Sequence, residues 1–317
     1  MTLPSHRSDR SMTQNSGGSE ICVSRLYDTL RRMEREKRRP GTDASEPDEP
    51  VELLNNILAT PAKMPSSPSA RINVGKASRL VTLTDPQSLG AEKFRALVAR
   101  LESLREKREL KTLQITSAVI NEGKSVVAAN LAITLAKHFG YKVLLVEGDL
   151  HRPTLTSLLG LGGLEGINQW WCGQEENSEM SHCIYKLDDI PALWFLGAGS
   201  PCDQPSQILQ SARFAESFVR LVGDFEWVVV DSTPMSPTVD ANLWSRLVDG
   251  TLLVVREGVA PIKALKIGVK GLDNPKWLGI VLNEASEFDR VNYKDQYYGV
   301  KKKETRREKQ NRTKAAP

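Results

Sequence analysis

From about residue 86 the chain alternates short, unbroken apolar runs with longer stretches in which apolar residues recur every three or four positions. The runs Leu113 to Thr116, Val143 to Glu147, Leu193 to Leu196, Trp227 to Asp231, Thr251 to Val255 and Leu278 to Asn283 lack the polar alternation of a half-exposed strand. They therefore predict strands buried on both faces. The segments Ser125 to His138, Ser206 to Val222 and Ile262 to Leu272 carry helical spacing. Strand and helix in turn is the pattern of βαβ units. It predicts an α/β fold, a doubly wound and mainly parallel sheet of the kind that binds ligands beyond the carboxyl ends of its strands.

The flanks read differently. Residues 1–20 are polar and rich in Ser and Gly, with too little apolar surface to offset the entropy of ordering, and are expected to be disordered. Residues 21–39 predict a basic amphipathic helix. Ser24 is its candidate cap, Leu26, Tyr27, Leu30 and Met33 share one face, and Arg31, Arg32, Arg35, Lys37, Arg38 and Arg39 crowd the rest. Such a helix docks on a partner or an acidic membrane surface, or lies solvated against the domain. Residues 40–85 have the Pro, Ser, Asp and Glu content of a linker. The domain is expected over 86–287, followed by a basic tail over 288–317.

Composition narrows the class. A chain of 317 residues that is 40% hydrophobic holds enough apolar surface for a sizeable core. The net charge of +4 is uneven: eight Lys or Arg fall between Lys301 and Pro317, against Glu304 and Glu308. A basic, aromatic-poor terminal run reads as a solvated segment rather than a specific nucleic-acid or lipid contact, and no nucleic-acid partner is expected. Cys22, Cys172, Cys183 and Cys202 form no C-x-x-C pair and have no His at metal-ligand spacing, so they read as reduced thiols. The N-terminus lacks the apolar stretch of a signal peptide and no run of 18 apolar residues occurs. The expected location is cytoplasmic, with membrane association peripheral and through a partner.

The candidate chemistry sits where strands end. Leu113-Gln114-Ile115-Thr116 runs into Ser117-Ala118-Val119-Ile120-Asn121-Glu122-Gly123-Lys124-Ser125, a loop that opens a helix. In a P-loop, backbone N–H groups and the helix N-terminus surround phosphates, Gly123 allows close approach, Lys124 neutralises the β and γ oxygens, and Ser125 ligates magnesium. Ala118 stands where the strict pattern has its first glycine.

One βαβ unit later, Val143 to Glu147 runs on as Gly148-Asp149-Leu150-His151-Arg152-Pro153. Glu147 and Asp149 are two residues apart, the spacing that points strand side chains the same way. The pair is suited to holding magnesium through water or to accepting the proton of an attacking hydroxyl; the alternative is that it caps the following helix. Trp227-Val228-Val229-Val230-Asp231 has the form of a Walker B strand, with Asp231 facing magnesium from the side opposite Ser125. Asn283 closes the last run, either as a reader of a purine edge or as a turn residue.

Together, Ala118 to Ser125, Glu147 to Pro153 and Asp231 to Pro234 resemble the Walker A, A′ and B motifs of the bacterial tyrosine autokinases of capsule and exopolysaccharide synthesis. The likeness runs from residue 86 to about 300. It takes in Glu92 and Arg95, the start of that family's E-x-x-R-x-x-R subunit-contact helix, and also Leu196 to Gly199, Pro205 to Leu209 and Val281 to Asn283. Ser24 to Arg32 is similar to the leader of the single-chain members. The resemblance implies ATP and Mg2+ as cofactors, with nucleotide contacts from Asn121, Glu122, Gly123, Lys124, Ser125, Val126, Arg152 and Asn283. It further implies metal contacts from Ser125, Asp149 and Asp231, and catalytic roles for Lys124, Glu147, Asp149 and Asp231. The phosphoacceptors would be Tyr293, Tyr297 and Tyr298, three of the six tyrosines, modified in trans within a ring. The implied partners are a membrane-spanning chain-length-determinant protein and a cognate tyrosine phosphatase, and the implied role is regulation of polymerisation and export.

The chain departs from the pattern at Glu147, where aspartate is usual, at His151 and Val98, where arginine is usual, and at Ile120 and Asn121, which replace Pro-Gly. Two alternatives follow: a deviant P-loop ATPase of the partitioning or septum-site kind, although Ser117 to Ile120 lacks that group's early lysine, or a nucleotide-dependent scaffold without catalysis.

Overall fold

The computed structural model describes residues 67–173, 179–201, 204–235, 239–271 and 276–285. Among them, eight strands form one sheet: β1 (Ser69–Ala70), β2 (Thr112–Ser117), β3 (Val143–Glu147), β4 (Ile184–Leu187), β5 (Leu193–Leu196), β6 (Trp227–Asp231), β7 (Gly250–Arg256) and β8 (Trp277–Asn283). Their order is β1-β4-β5-β3-β6-β2-β7-β8. From β5 to β8 every pairing is parallel; β4 runs antiparallel to β5, and β1 joins β4 in parallel. The helices are α1 (Val81–Thr84), α2 (Leu89–Arg105), α3 (Lys124–Ile133), α4 (Leu155–Leu158), α5 (Ile167–Cys172), α6 (Pro205–Gln210), α7 (Ala212–Gly223), α8 (Asp240–Leu247) and α9 (Ile262–Gly271).

The inner apolar runs become strands because each has a helical layer on both sides, whereas β8, at the sheet edge, leaves Ile280 and Leu282 exposed and departs from the expected two-sided burial. Alternation divides their side chains between two cores. Val143, Leu145, Trp227 and Val229 join Leu113, Ile115 and the buried faces of α2 and α3. Leu144, Val146, Val228 and Val230 face the opposite way, onto Phe214, Phe218 and Trp244 from α7 and α8. Trp244 meets the two phenylalanine rings edge-on at 5.6 and 5.4 Å, a geometry favoured by the ring quadrupoles.

The expected strands are all present, with ends moved by no more than one residue. The helices differ in detail. The one expected from Ser206 to Val222 is two, because Ser211 takes an extended ψ of 142° and its hydroxyl accepts the Phe214 N–H, capping α7. The one expected to reach His138 ends as α3, followed by a single wider π turn over Thr134–His138. Part of the stretch assigned to a linker by composition is also folded: β1 extends the sheet, α1 packs on α2, and Leu80 is fully buried. The segments 1–20, 21–39 and 288–317 lie outside the described residues.

Candidate active site

β6 lies between β2 and β3, and the register sets Asp231 beside Ile115 on one side and Glu147 on the other. The carboxyl ends of all three motif strands therefore meet. From β2 the chain enters the loop before α3, where Asn121 and Gly123 take positive φ of 64° and 89°. The first backbone bond of α3 runs from the Val127 N–H to the Gly123 carbonyl. The N–H groups of Lys124, Ser125 and Val126 thus precede the helical ladder and face out of its N-terminus, the arrangement that attracts phosphate.

Two residues expected to touch nucleotide brace this loop. The Glu122 carboxylate is buried, with Oε2 accepting the Val119 N–H at 2.9 Å and Oε1 accepting the Arg256 N–H at 3.3 Å. Asn283 Nδ2 donates to the Glu122 carbonyl at 2.9 Å. The last strand of the sheet is in this way tied to the loop made by the second.

Lys124 is drawn between two acids. Its Nζ stands 3.0 Å from Asp149 Oδ2 and 3.5 Å from Asp231 Oδ1. Burial by itself would lower the Lys124 pKa, but the charges of Asp231 and Asp149 outweigh it and the net shift is upward from 10.5. Asp231 is completely buried, and burial pushes its carboxyl up to about 6 against the pull of Lys124. Its Oδ2 has no hydrogen-bond partner. A buried carboxylate oxygen left unpaired beside a serine hydroxyl and a phosphate-binding helix end fits a site for a divalent cation carried by a nucleotide. Ser125 Oγ is 2.7 Å from Thr154 Oγ1 and accepts from Lys124 Nζ at 3.4 Å. Asp149 Oδ1 accepts the Arg152 N–H at 3.0 Å, while the Arg152 side chain is exposed.

Glu147 does not share the direction of Asp149. Its Oε1 accepts the Thr156 N–H at 3.0 Å, and its Oε2 accepts the Thr156 hydroxyl at 2.6 Å and the Ala198 N–H at 3.1 Å. The physical reason is that β3 ends at Glu147, so the alternation expected to carry both acids the same way stops before Asp149. With three donors on its two oxygens, Glu147 fastens α4 and the end of β5 to β3 rather than facing Lys124. The expected placement of Glu147 on the same side as Asp149 is corrected accordingly.

Other expected residues scatter. Arg95 pairs with Glu92 in its own chain and donates to the Pro86 carbonyl at 2.9 Å, whereas Val98, at the third position of the subunit-contact pattern, is buried in the core. Asn121 is exposed and Val126 half-buried at the loop and helix start. Tyr293, Tyr297 and Tyr298 lie outside the described residues. Sequence reasoning missed Thr154, Thr156 and Asp240, and it missed Trp244, whose indole Nε1 donates to the Gly148 carbonyl at 3.0 Å. Single Thr, Asp and Trp residues carry no spacing signal. The only hint was that Thr154 and Thr156 closely follow Pro153.

A parallel sheet with a glycine-hinged loop, a buried lysine and convergent carboxylates defines a P-loop nucleotide-binding protein. Comparison with known sequences narrows the class. No family profile matches the chain. It is 30% identical over 217 residues to the putative tyrosine-protein kinase CapB of Staphylococcus aureus, covering 68% of this chain and 92% of that one. It is 31% identical over 225 residues to the succinoglycan biosynthesis transport protein ExoP of Rhizobium meliloti, covering 69% of this chain and 28% of that longer one. Among solved structures, the chimerical protein CapA2B2 superposes with a TM-score of 0.59 at 27% identity, covering 69% of this chain and 94% of that one. The chain belongs to the bacterial tyrosine autokinases of capsule and exopolysaccharide biosynthesis. Among the described residues no helix is long and apolar enough to cross a membrane.

Proposed function

We propose that this site binds Mg-ATP and passes the γ-phosphoryl group to the tail tyrosines Tyr293, Tyr297 and Tyr298 of a neighbouring copy. The observation that carries this reading is Lys124, held by Asp149 and Asp231 at the N-terminus of α3 while Asp231 keeps one buried oxygen unpartnered. Lys124 exchanges its acid partners for the β and γ oxygens. Ser125 and Asp231, with Asp149 beside them, would hold magnesium, which when bound would neutralise charge building on the leaving diphosphate. The helix N-terminus supplies fixed donors to the phosphates. Asp149 orients the tyrosine hydroxyl and receives its proton as the phenolic oxygen bonds to phosphorus and the bridging oxygen departs with ADP. Asn121, Val126 and Arg152 line the nucleotide; Glu122 and Asn283 support it by fixing the loop.

Such activity, switched by a cognate phosphatase, would regulate polysaccharide polymerisation and export through a membrane-spanning chain-length-determinant partner. The kinase would then be a cytoplasmic protein held peripherally at the inner membrane, and its rings would bring each tail to a neighbour's site. ExoP, of which the match spans a minor part, is a transport protein of this kind of biosynthesis. The test is incubation with Mg-ATP beside a Lys124→Met control, mapping phosphate on the 292–300 peptide by mass spectrometry. Phosphotyrosine that vanishes in the control is expected. ATP hydrolysis with an unmodified tail would instead assign a P-loop ATPase, and binding without turnover a scaffold.

A further inference from the structure

The segment that carries Asp149 is gripped on both sides by one helix. On one flank, the Gly148 carbonyl accepts the Trp244 indole N–H at 3.0 Å, and the Gly148 N–H donates to the Asp231 carbonyl at 2.8 Å. The indole lies so close that a β-carbon at position 148 would stand 2.8 Å from Trp244 Cε2 and 2.8 Å from Val230 Cγ1, so only glycine fits there. On the other flank, His151 Nε2 lies 2.8 Å from Oδ2 of Asp240, an ion-pair contact when the imidazole is protonated but not an aligned hydrogen bond, and the fully buried Asp240 accepts the Ser206 hydroxyl on Oδ1 at 2.6 Å. Asp240 and Trp244 are four residues apart on α8 and share a face. The same helix is joined to the end of β6: Gln114 Nε2 donates both to the Ala241 carbonyl at 2.7 Å and to Ser232 Oγ at 2.9 Å.

We propose that α8 is the positioning element of the site, and that His151, Asp240 and Trp244 set Asp149 against Asp231 and Lys124. The inference rests on the kinase reading for its chemistry but not for its geometry. None of the three residues touches the reacting atoms; each acts through the backbone on either side of Asp149. A displacement of about 1 Å at such a carboxylate is enough to cost on the order of a hundredfold in rate. Ser206 lets the start of α6 share in the same anchor.

The test uses the full chain with His151→Gln, Asp240→Asn and Trp244→Phe, the last keeping the ring against Phe214 and Phe218 while removing the donor. Asn242→Ala, on the exposed side of α8, is the control. Expected is a fall in kcat of about tenfold or more with KM for ATP within about twofold, and a raised Mg2+ requirement for binding a fluorescent ATP analogue. His151→Gln combined with Asp240→Asn should be no worse than the worse single change, since both remove one link. Variants that keep wild-type kcat and Mg2+ dependence, or lose activity only in proportion to folded protein, overturn the proposal. So does additive loss in the double variant. If the wild-type chain forms no phosphotyrosine the kinase reading fails, and the Mg2+ dependence of analogue binding still decides the role of α8.

Discussion

Asn283 Nδ2 donates to the Glu122 carbonyl at 2.9 Å and fills the space that a β-carbon on Gly123 would need. The loop glycine is therefore required twice, for its φ of 89° and for the side chain pressed against it from β8. Gly123→Ala should abolish binding of a fluorescent ATP analogue. Asn283→Ala alone should weaken it by about tenfold, because the loop loses one brace. The pair Gly123→Ala with Asn283→Ala should bind better than Gly123→Ala alone, since the clash is relieved and only the φ strain remains. Equal loss in the single and double variants would assign the whole effect to backbone strain.

Glu147 presents a different balance. Its two oxygens satisfy the Thr156 N–H, the Thr156 hydroxyl and the Ala198 N–H from a fully buried position. Each buried donor left unpaired costs about 1–3 kcal/mol, so Glu147→Ala should lower thermal stability severely. Glu147→Gln keeps an acceptor and should lose less. Both should retain phosphorylation rate per folded molecule, measured against the concentration of nucleotide-binding sites. A large loss of kcat in a normally stable Glu147→Gln would return this acid to the reaction.

How much of this was legible in the sequence depended on what held each element. The strands were readable because burial on both faces leaves an unbroken apolar run, as in Trp227 to Val230. The phosphate loop was readable because Gly123-Lys124-Ser125 falls between a buried strand and a helix. The direction of Glu147 was not, because period-two reasoning needs a strand that continues to Asp149. Nor was α8: Ala241, Trp244 and Leu247 recur every three residues, but eight residues is too short for spacing alone to separate helix from turn. The grip of Trp244 on Gly148 is a tertiary contact across 96 positions, with no local trace.

Thiol reactivity offers a check on the second core. Cys172 is exposed at the end of α5, whereas Cys183 is buried and burial, with Glu165 nearby, raises its thiol to about 11. Only the thiolate attacks an alkylating reagent, and at pH 8 a thiol titrating there is ionised to roughly one part in a thousand. Brief iodoacetamide treatment of the native protein at pH 8 should label the Cys172 peptide and leave the Cys183 peptide unmodified until denaturant is added. Equal labelling of the two would mean that the packing around Met180, Cys183 and Ile184 opens readily.

Asp231 sets the pH dependence of the protein without metal. Burial raises its carboxyl from 3.8 to about 6, so between these values the folded state holds a proton that the unfolded chain has released. Stability relative to the unfolded chain therefore carries no Asp231 penalty below about pH 4, loses ground as pH rises, and carries the full penalty above about pH 6. Asp231→Asn removes this titration. In EDTA, the Tm of the variant minus that of the wild-type chain should be smallest near pH 4 and grow by several degrees by pH 7, as followed by calorimetry. The phosphotransfer activity should be lost at every pH, because the oxygen left for magnesium goes with the substitution. A Tm difference that is flat across this range would mean that Lys124 already compensates the charge of Asp231, despite the repulsion from Asp149, and that its unpartnered Oδ2 is not held at a cost to folding.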